Sequence, residues 1–317
     1  MKRHLILLTT ALLAATQIGC EVACIEDGSG TRCTAKSLNR YDGVPPAPQA
    51  FTPAAGAPIS VDVLYGNVYV TRSTTPQVVV EFKPFAYAAY DNKATADREL
   101  AENLRVSAVQ QGGIQVSVAR EGGSNGLGAD VILRVPDSFD GALEITNRAG
   151  GPVNHFDIKA DFVGRARALT VRNSASLGQC YVQGAATVQT TNVQCNNAIS
   201  VFDVSGTVNI TNDKRDHEGG TPAVTLRMAA VGGGGRILTA SGSINATFPA
   251  SGGYALTARA ASRGQVQEGA LPANCTKQER GPGDKIITCG NGPHYELTAG
   301  HAPTGAPRDA NVVLSYR

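Results

Sequence analysis

Leu143-Glu144-Ile145-Thr146, Leu169-Thr170-Val171-Arg172 and Val208-Asn209-Ile210-Thr211 repeat one arrangement, aliphatic and polar residues in strict succession. A period of two marks a strand with one face buried. Further short β-prone segments fall at Thr187–Thr190, Val224–Arg227, Ile244–Phe248 and Ala255–Ala258, with intervals clustering near 16 to 20 residues after a longer first gap. Corner-forming residues separate them: Gly150-Gly151, Asn173-Ser174, Asn196-Asn197, Gly219-Gly220, Gly232 to Gly235 and Ser241-Gly242. Regular short strands with such corners predict an all-β chain, a single-stranded β-helix-like β-solenoid with one small helix, whose coils bury their apolar faces on one another. The lack of Trp and an aromatic content of 5% agree with thin coils that have room for Val, Ile, Leu and Ala. A β-sandwich with Greek-key connections is the alternative. Its turns, every ~8 to 12 residues, fit the N-terminal half better than the C-terminal half.

Working outward, the domain is expected over residues 59–317. Ile59, Val61 and Val63 alternate with polar neighbours, Tyr65-Gly66-Asn67 makes a turn, and Val68, Val70 and Val78 to Phe82 resume the pattern. A helix is expected from about Ala94 to Leu104, where Leu100 and Leu104 lie four apart on one face. Strands then follow at Leu104–Val109, Ile114–Val118 and Val131–Val135, and a last one carries Val312, Leu314 and Tyr316.

The N-terminus reads as a secretion signal, residues 1–19. Lys2, Arg3 and His4 precede an uncharged apolar run, Leu5 to Ile18, shorter than the ~20 residues a membrane-spanning helix needs. Gln17-Ile18-Gly19-Cys20 fits a lipoprotein cleavage box, with Gln17 departing from the usual Leu, and makes Cys20 the expected lipidated first residue. Residues 20–58 are expected as an N-terminal segment closed by a disulfide, followed by a Pro/Ala-rich spacer over Thr34 to Pro58. Cleavage before Cys20 removes Lys2 and Arg3 and balances the remaining charges, since the whole chain carries 28 basic and 26 acidic residues. Zero net charge gives nucleic acid no support as a partner.

The chain holds seven cysteines. With Cys20 lipidated, the rest fall into neighbour pairs, and an oxidising compartment makes disulfides the default. Pairing by proximity predicts Cys24–Cys33, Cys180–Cys195 and Cys275–Cys289, one of many connectivities open to such a set. Cys180 and Cys195 are expected to face each other on successive rungs, and Cys275 and Cys289 to pin a terminal hairpin. Zinc is disfavoured, because no pair has Cys-x-x-Cys spacing and no His pair lies beside one.

No catalytic residues and no cofactor are assigned. Asp213, Asp216, His217 and Glu218 form the densest polar cluster, but Lys214 and Arg215 within it oppose a cation. Asp157, Asp161 and His155, with Arg165 and Arg167, invite comparison with β-helix polysaccharide lyases, which need several acids on one face and a basic proton acceptor. Gly232 to Gly235 is followed by Arg236-Ile237 and lacks the Lys-Ser/Thr of a phosphate loop. Tyr87, Tyr90 and Tyr254 could stack on sugars, though packing is the commoner role of such residues.

Three stretches together resemble the bacterial adhesin family with β-solenoid heads of the auto-transporter adhesin head type, in lipoprotein form. They are Val61-Asp62-Val63-Leu64-Tyr65-Gly66-Asn67-Val68-Tyr69-Val70, then Val131 to Pro136 leading into Leu143 to Asn147, then Leu238-Thr239-Ala240-Ser241-Gly242-Ser243-Ile244 with Phe248-Pro249. The resemblance spans roughly residues 59 to 268, and the cysteine-closed end departs from it. It implies a non-enzymatic adhesive or scaffolding role at the cell envelope. The expectation is an exported lipoprotein of the outer membrane, periplasm or cell surface, held by a lipid anchor and partnered by an envelope polymer or protein. A carbohydrate-active β-helix enzyme, a lyase or glycosidase, is the alternative.

Overall fold

From Ala142 to Glu268, successive strands go to opposite sheets, and paired coils run parallel. The computed structural model describes residues 20–27, 30–37, 39–88, 92–153, 155–184, 188–213, 222–261, 263–300 and 310–317. Sheet I contains Ile59–Val63, Ala142–Asn147, Ala168–Asn173, Thr190–Cys195, Thr207–Asn212 and Gly235–Thr239 as parallel neighbours. Sheet II contains Val68–Arg72, Ile158–Ala160, Cys180–Gln183, Ile199–Val204, Pro222–Met228 and Ser243–Phe248, also parallel. Each coil thus gives one strand to each sheet. The two sheets face each other, as in a sandwich, but coil-by-coil parallel pairing makes the body a β-solenoid.

The intervals read from sequence mixed the two sheets. Val224–Arg227 and Ile244–Phe248 lie in sheet II, whereas the other segments belong to sheet I, and Thr187–Thr190 gives way to a strand at Thr190–Cys195. Along sheet I, Ala168 pairs with Ala142, Thr190 with Ala168 and Thr207 with Thr190, steps of 26, 22 and 17 residues. Corners of unequal length are the reason, because only the strands must keep register.

What the coils share is their interior. Val61, Ile145, Val171, Val193, Ile210 and Ile237 stack in one column of sheet I. Val70, Ala160, Val182, Val201, Leu226 and Ala246 stack in sheet II. All are buried, and each Val, Leu or Ile contributes roughly 1.5–3 kcal/mol by leaving water.

A polar column closes the sheet I strands. Asn147, Asn173, Cys195, Asn212 and Thr239 are successive register partners, all buried. Asn147 Nδ2 donates to the Gly66 carbonyl at 2.8 Å, Asn173 Nδ2 to Phe156 at 2.9 Å, and Asn212 Nδ2 to Asn197. Each acceptor lies two residues before a sheet II strand, so the amide ties one corner to the next. Cys195 takes the same slot, its Sγ 3.5 Å from the Gly178 carbonyl. Its disulfide to Cys180, Cα atoms 6.2 Å apart, therefore joins the two sheets from one coil to the next. It links successive coils across the sheets and not along one face, because Cys180 starts the sheet II strand of one coil and Cys195 ends the sheet I strand of the next.

Both ends depart from simple winding. The coil built from Ile59–Val63 and Val68–Arg72 sits between Ala142–Asn147/Ile158–Ala160 and Ile114–Arg120/Leu127–Val135. At the other end His294–Ala299 and Val312–Tyr316 each insert between two strands that precede them in the chain, pairing in parallel with both neighbours. Antiparallel strands then cover the sheet ends: Leu104–Gln110 on Ile114–Arg120, and a hairpin of Cys275–Gly281 and Asp284–Cys289. Cys275 and Cys289 are directly opposed in that hairpin and disulfide-bonded. Helix α1, Lys93–Asn103, is capped by Asn92, whose side chain accepts from the Thr95 amide, and buries Ala96 and Leu100.

Part of the expected spacer is built into the domain. Asn39–Asp42 and Gln49–Phe51 pair antiparallel with Val78–Ala88. Pro45, Pro46 and Pro48 lie in the connection between them and Pro53 and Pro58 follow the second strand, so the paired residues keep their donors. Upstream, Cys20–Asp27 and Gly30–Ser37 form a separate hairpin with Cys24 opposite Cys33 in register. The signal segment lies outside the described residues.

Candidate functional site

Outward positions of the two sheets form long polar faces. On sheet I one register row reads Ser60, Glu144, Thr170, Asn192, Asn209, Arg236 and Glu296. Its members neutralise one another: Arg236 pairs with Glu296 at 3.4 Å, and Asn209 Nδ2 donates to Asn192 Oδ1 at 3.0 Å. Among Thr170, Arg172, Asn192, Gln194, Asn209 and Thr211 there is only a shallow depression of about 160 Å³.

The sheet II face is aromatic. Ile132, Tyr69, Lys159, Tyr181 and Ser200 share a row. Phe202, one strand beyond Tyr181, has its ring centroid 5.6 Å away. Arg227 lies over the Phe202 ring at 4.9 Å. Tyr69 and Tyr181 are flanked by the inward pairs Val68/Val70 and Cys180/Val182, which forces both rings outward.

At the Tyr69 end this face deepens into a cleft of about 630 Å³, lined by Arg40, Asp42, Tyr69, Lys83, Asp130 and Ile132, with Thr71, Gly43, Pro45 and Pro84 completing the wall. Three sheet II strands, Val68–Arg72, Val78–Ala88 and Leu127–Val135, supply its floor. Asn39–Asp42 and the loop behind it supply the rim, fastened by the Gly43 amide donating to the Pro84 carbonyl at 2.9 Å. Arg40 is held from several sides. Its guanidinium lies 4.3 Å from the Phe85 ring centroid and donates to Asp42 at 2.8 Å and Asp130 at 2.9 Å. Asp130 also accepts from the Asn67 amide at 2.8 Å and side chain at 2.9 Å. Burial, with Asp130 and Asp157 nearby, pushes the Tyr69 phenol above its ordinary value. It therefore stays a protonated donor at physiological pH.

Asp203 anchors the far side of the face. It has φ 55° at a bulge between Phe202 and Val204. Arg227 reaches its carboxylate at 2.6 and 3.1 Å, and Arg317 at 3.1 Å. Hydrogen bonding from Arg227, reinforced by Arg317, lowers its pKa below the ordinary carboxylate value. A depressed folded pKa stabilises the protein above the unfolded-state value, and the benefit disappears as pH falls through the folded one. Asp203→Asn is thus expected to lower the thermal midpoint at neutral pH and to match the parent in strong acid. An equal gap at both pH values would contradict this ion cluster.

The residues weighed from sequence are scattered. Asp157 and Asp161 flank the strand Ile158–Ala160 and so stand roughly 13 Å apart. Asp157 accepts from the Gln179 amide at 2.7 Å, and Asp161 pairs with Lys159 at 3.5 Å. Arg167 turns to the Asp140 carbonyl at 3.0 Å, and exposed His155 stacks on Phe156. Asp213 accepts from Gln194 at 2.9 Å, while Asp216, His217, Glu218 and Tyr90 lie outside the described residues. Tyr254 is buried and donates to the Pro249 carbonyl at 2.8 Å, a packing role. Cys20, Cys24 and Cys33 are placed by backbone register alone.

Fold and faces together define a two-sheet parallel β-solenoid with open, side-chain-lined surfaces. No family model matches the chain, and neither does any curated protein. Among solved structures, a candidate cell adhesion protein from Clostridium sporogenes ATCC 15579 aligns over 89% of this chain and 100% of its own, at 8% identity and TM-score 0.30. A candidate adhesin from Bacteroides fragilis NCTC 9343 aligns over 86% and 96%, at 12% identity and TM-score 0.28. Scores this low carry no weight for function.

Proposed function

We propose that the chain is an exported cell-envelope lipoprotein, lipidated at Cys20, whose β-solenoid is a non-enzymatic adhesin-like or scaffolding module. The observation behind this reading is the unbroken sheet II face, on which side chains from consecutive coils present one row to solvent. Strand spacing of about 4.8 Å repeats that row along the molecule, a geometry suited to extended polymers or protein surfaces. The carboxylates nearest its cleft are committed: Asp130 accepts three hydrogen bonds and Asp42 is held by Arg40. Both carboxylates are engaged by the Arg40 guanidinium, an arrangement unlike the paired acid and nucleophile of glycoside hydrolysis.

Intact-mass analysis of the mature chain extracted from membranes tests the anchor and the oxidised state. Loss of residues 1–19, a diacylglycerol adduct and a gain of six protons on reduction are expected. An unmodified Cys20 removes the lipoprotein reading. Beads coated with the mature chain should adhere to isolated envelopes without releasing reducing ends from polysaccharides, and release of such ends would make the enzymatic alternative correct.

A further inference from the structure

We propose that the cleft at Tyr69 and Lys83 binds a neutral polysaccharide, whose chain continues along sheet II over Tyr181 towards Phe202. This rests on the reading of the solenoid as a binding module and names its ligand class.

The cleft has the size of a ligand site, within the range of roughly 300–1,000 Å³. Its lining is charge-balanced: Arg40 and Lys83 stand against Asp42 and Asp130. A polyanion gains little from such a wall, and a polycation as little. A sugar suits it, because hydroxyl groups both donate and accept. Lys83, Tyr69 and Thr71 offer donors, and Asp42, which is largely exposed, offers an acceptor. Pro45, Pro84, Ile132 and the Tyr69 ring supply apolar surface for the C–H faces of a pyranose.

The path beyond the cleft has the same chemistry. Tyr69 and Tyr181 lie two strands apart, about 10 Å along the solenoid axis, with Phe202 next to Tyr181. Here too the cations are matched, Lys159 by Asp161 and Arg227 by Asp203. Sheet I lacks such rings at the corresponding positions, which hold Glu144, Thr170, Asn192 and Asn209. The binding path is therefore specific to one side of the molecule.

The test is native affinity electrophoresis of the mature chain in gels containing a soluble β-1,4-glucan derivative, a β-1,3-glucan, an α-1,6-glucan or a galactomannan, with polygalacturonate as the acidic comparison. At least one neutral polymer is expected to retard the protein. Lys83→Ala, at an exposed position, and Tyr181→Ala should each weaken retardation about tenfold, whereas Asn209→Ala on sheet I should leave it unchanged. Thermal melting of each variant separates lost binding from lost fold, and Tyr69→Phe probes the phenol without removing the ring. The proposal is overturned if no neutral polymer retards the chain, if polygalacturonate alone does, or if Lys83→Ala and Tyr181→Ala, both folded, bind as the parent does. Beads that adhere to envelopes while no neutral glycan is bound would sink the ligand class and leave the adhesive module standing. Cleavage of a bound glycan would sink the module reading instead.

Discussion

Asn173→Ala is expected to lower the stability of the solenoid by roughly 3 kcal/mol, although it removes no apolar contact of any size. Three backbone groups depend on that side chain. Its Nδ2 donates to the Phe156 carbonyl at 2.9 Å and the Gln179 carbonyl at 3.4 Å, and its Oδ1 accepts from the Ala175 amide at 3.1 Å. The residue is 3% exposed, so water does not replace those bonds without opening the corner. A buried polar group left unsatisfied costs about 1–3 kcal/mol, and partial relaxation of the corner keeps the loss from the three groups near the lower end of their sum. Asn192→Ala is the control, an outward Asn in the next strand, expected to stay within about 0.5 kcal/mol. Denaturant titration compares them, and equal midpoints would show that the buried amide column has no structural role.

That column also shows what was legible in the sequence. Leu143-Glu144-Ile145-Thr146-Asn147, Leu169-Thr170-Val171-Arg172-Asn173 and Val208-Asn209-Ile210-Thr211-Asn212 all end in Asn at the same offset from the aliphatic pair. The sequence presents Asn173 as a corner residue, whereas its side chain belongs to the interior. The strands themselves were readable, because alternation reports which side chains face inward. It does not report which sheet a strand joins: Val224–Arg227 in sheet II and Val208–Thr211 in sheet I carry the same pattern. Nor does it report order in space. His294–Ala299 inserts between strands that precede it in the chain, a long-range pairing with no local mark.

The candidate site was less legible, and for the same reason. Tyr69 stands between Val68 and Val70 in an expected strand, whereas no strand is expected around Tyr181, which the structure places at Cys180–Gln183. Their alignment in one row depends on Ile158–Ala160 pairing with both flanking strands, and this is fixed by corner lengths that follow no rule in the sequence. The contribution of Arg40 and Asp42 was hidden by composition. A Pro/Ala-rich stretch reads as spacer, yet its two ends pair with Val78–Ala88 and bring both residues over the cleft.

Removing the Cys180–Cys195 disulfide should have an effect as large as that of Asn173, and its size should depend on what replaces Cys195. The bond closes a loop of sequence separation 15, for which the chain-entropy account gives about 3 kcal/mol. Cys180→Ala with Cys195→Ala is expected to lose about that amount. Cys180→Ala with Cys195→Asn should lose roughly 1 kcal/mol less, because the new amide faces the Gly178 carbonyl as Asn147 and Asn173 face Gly66 and Phe156. The second disulfide, Cys275–Cys289, closes a loop of nearly equal separation, 14, but it staples an edge hairpin with Cys275 only partly buried. Such a hairpin opens before the core does, so its removal should change protease susceptibility between Cys275 and Cys289 more than the global midpoint. Denaturant curves of the two double variants and the parent, with and without reductant, decide the matter. If Cys195→Asn is no better than Cys195→Ala, the cysteine does not occupy a rung of the amide column, and the coil is held at that corner by the covalent bond alone.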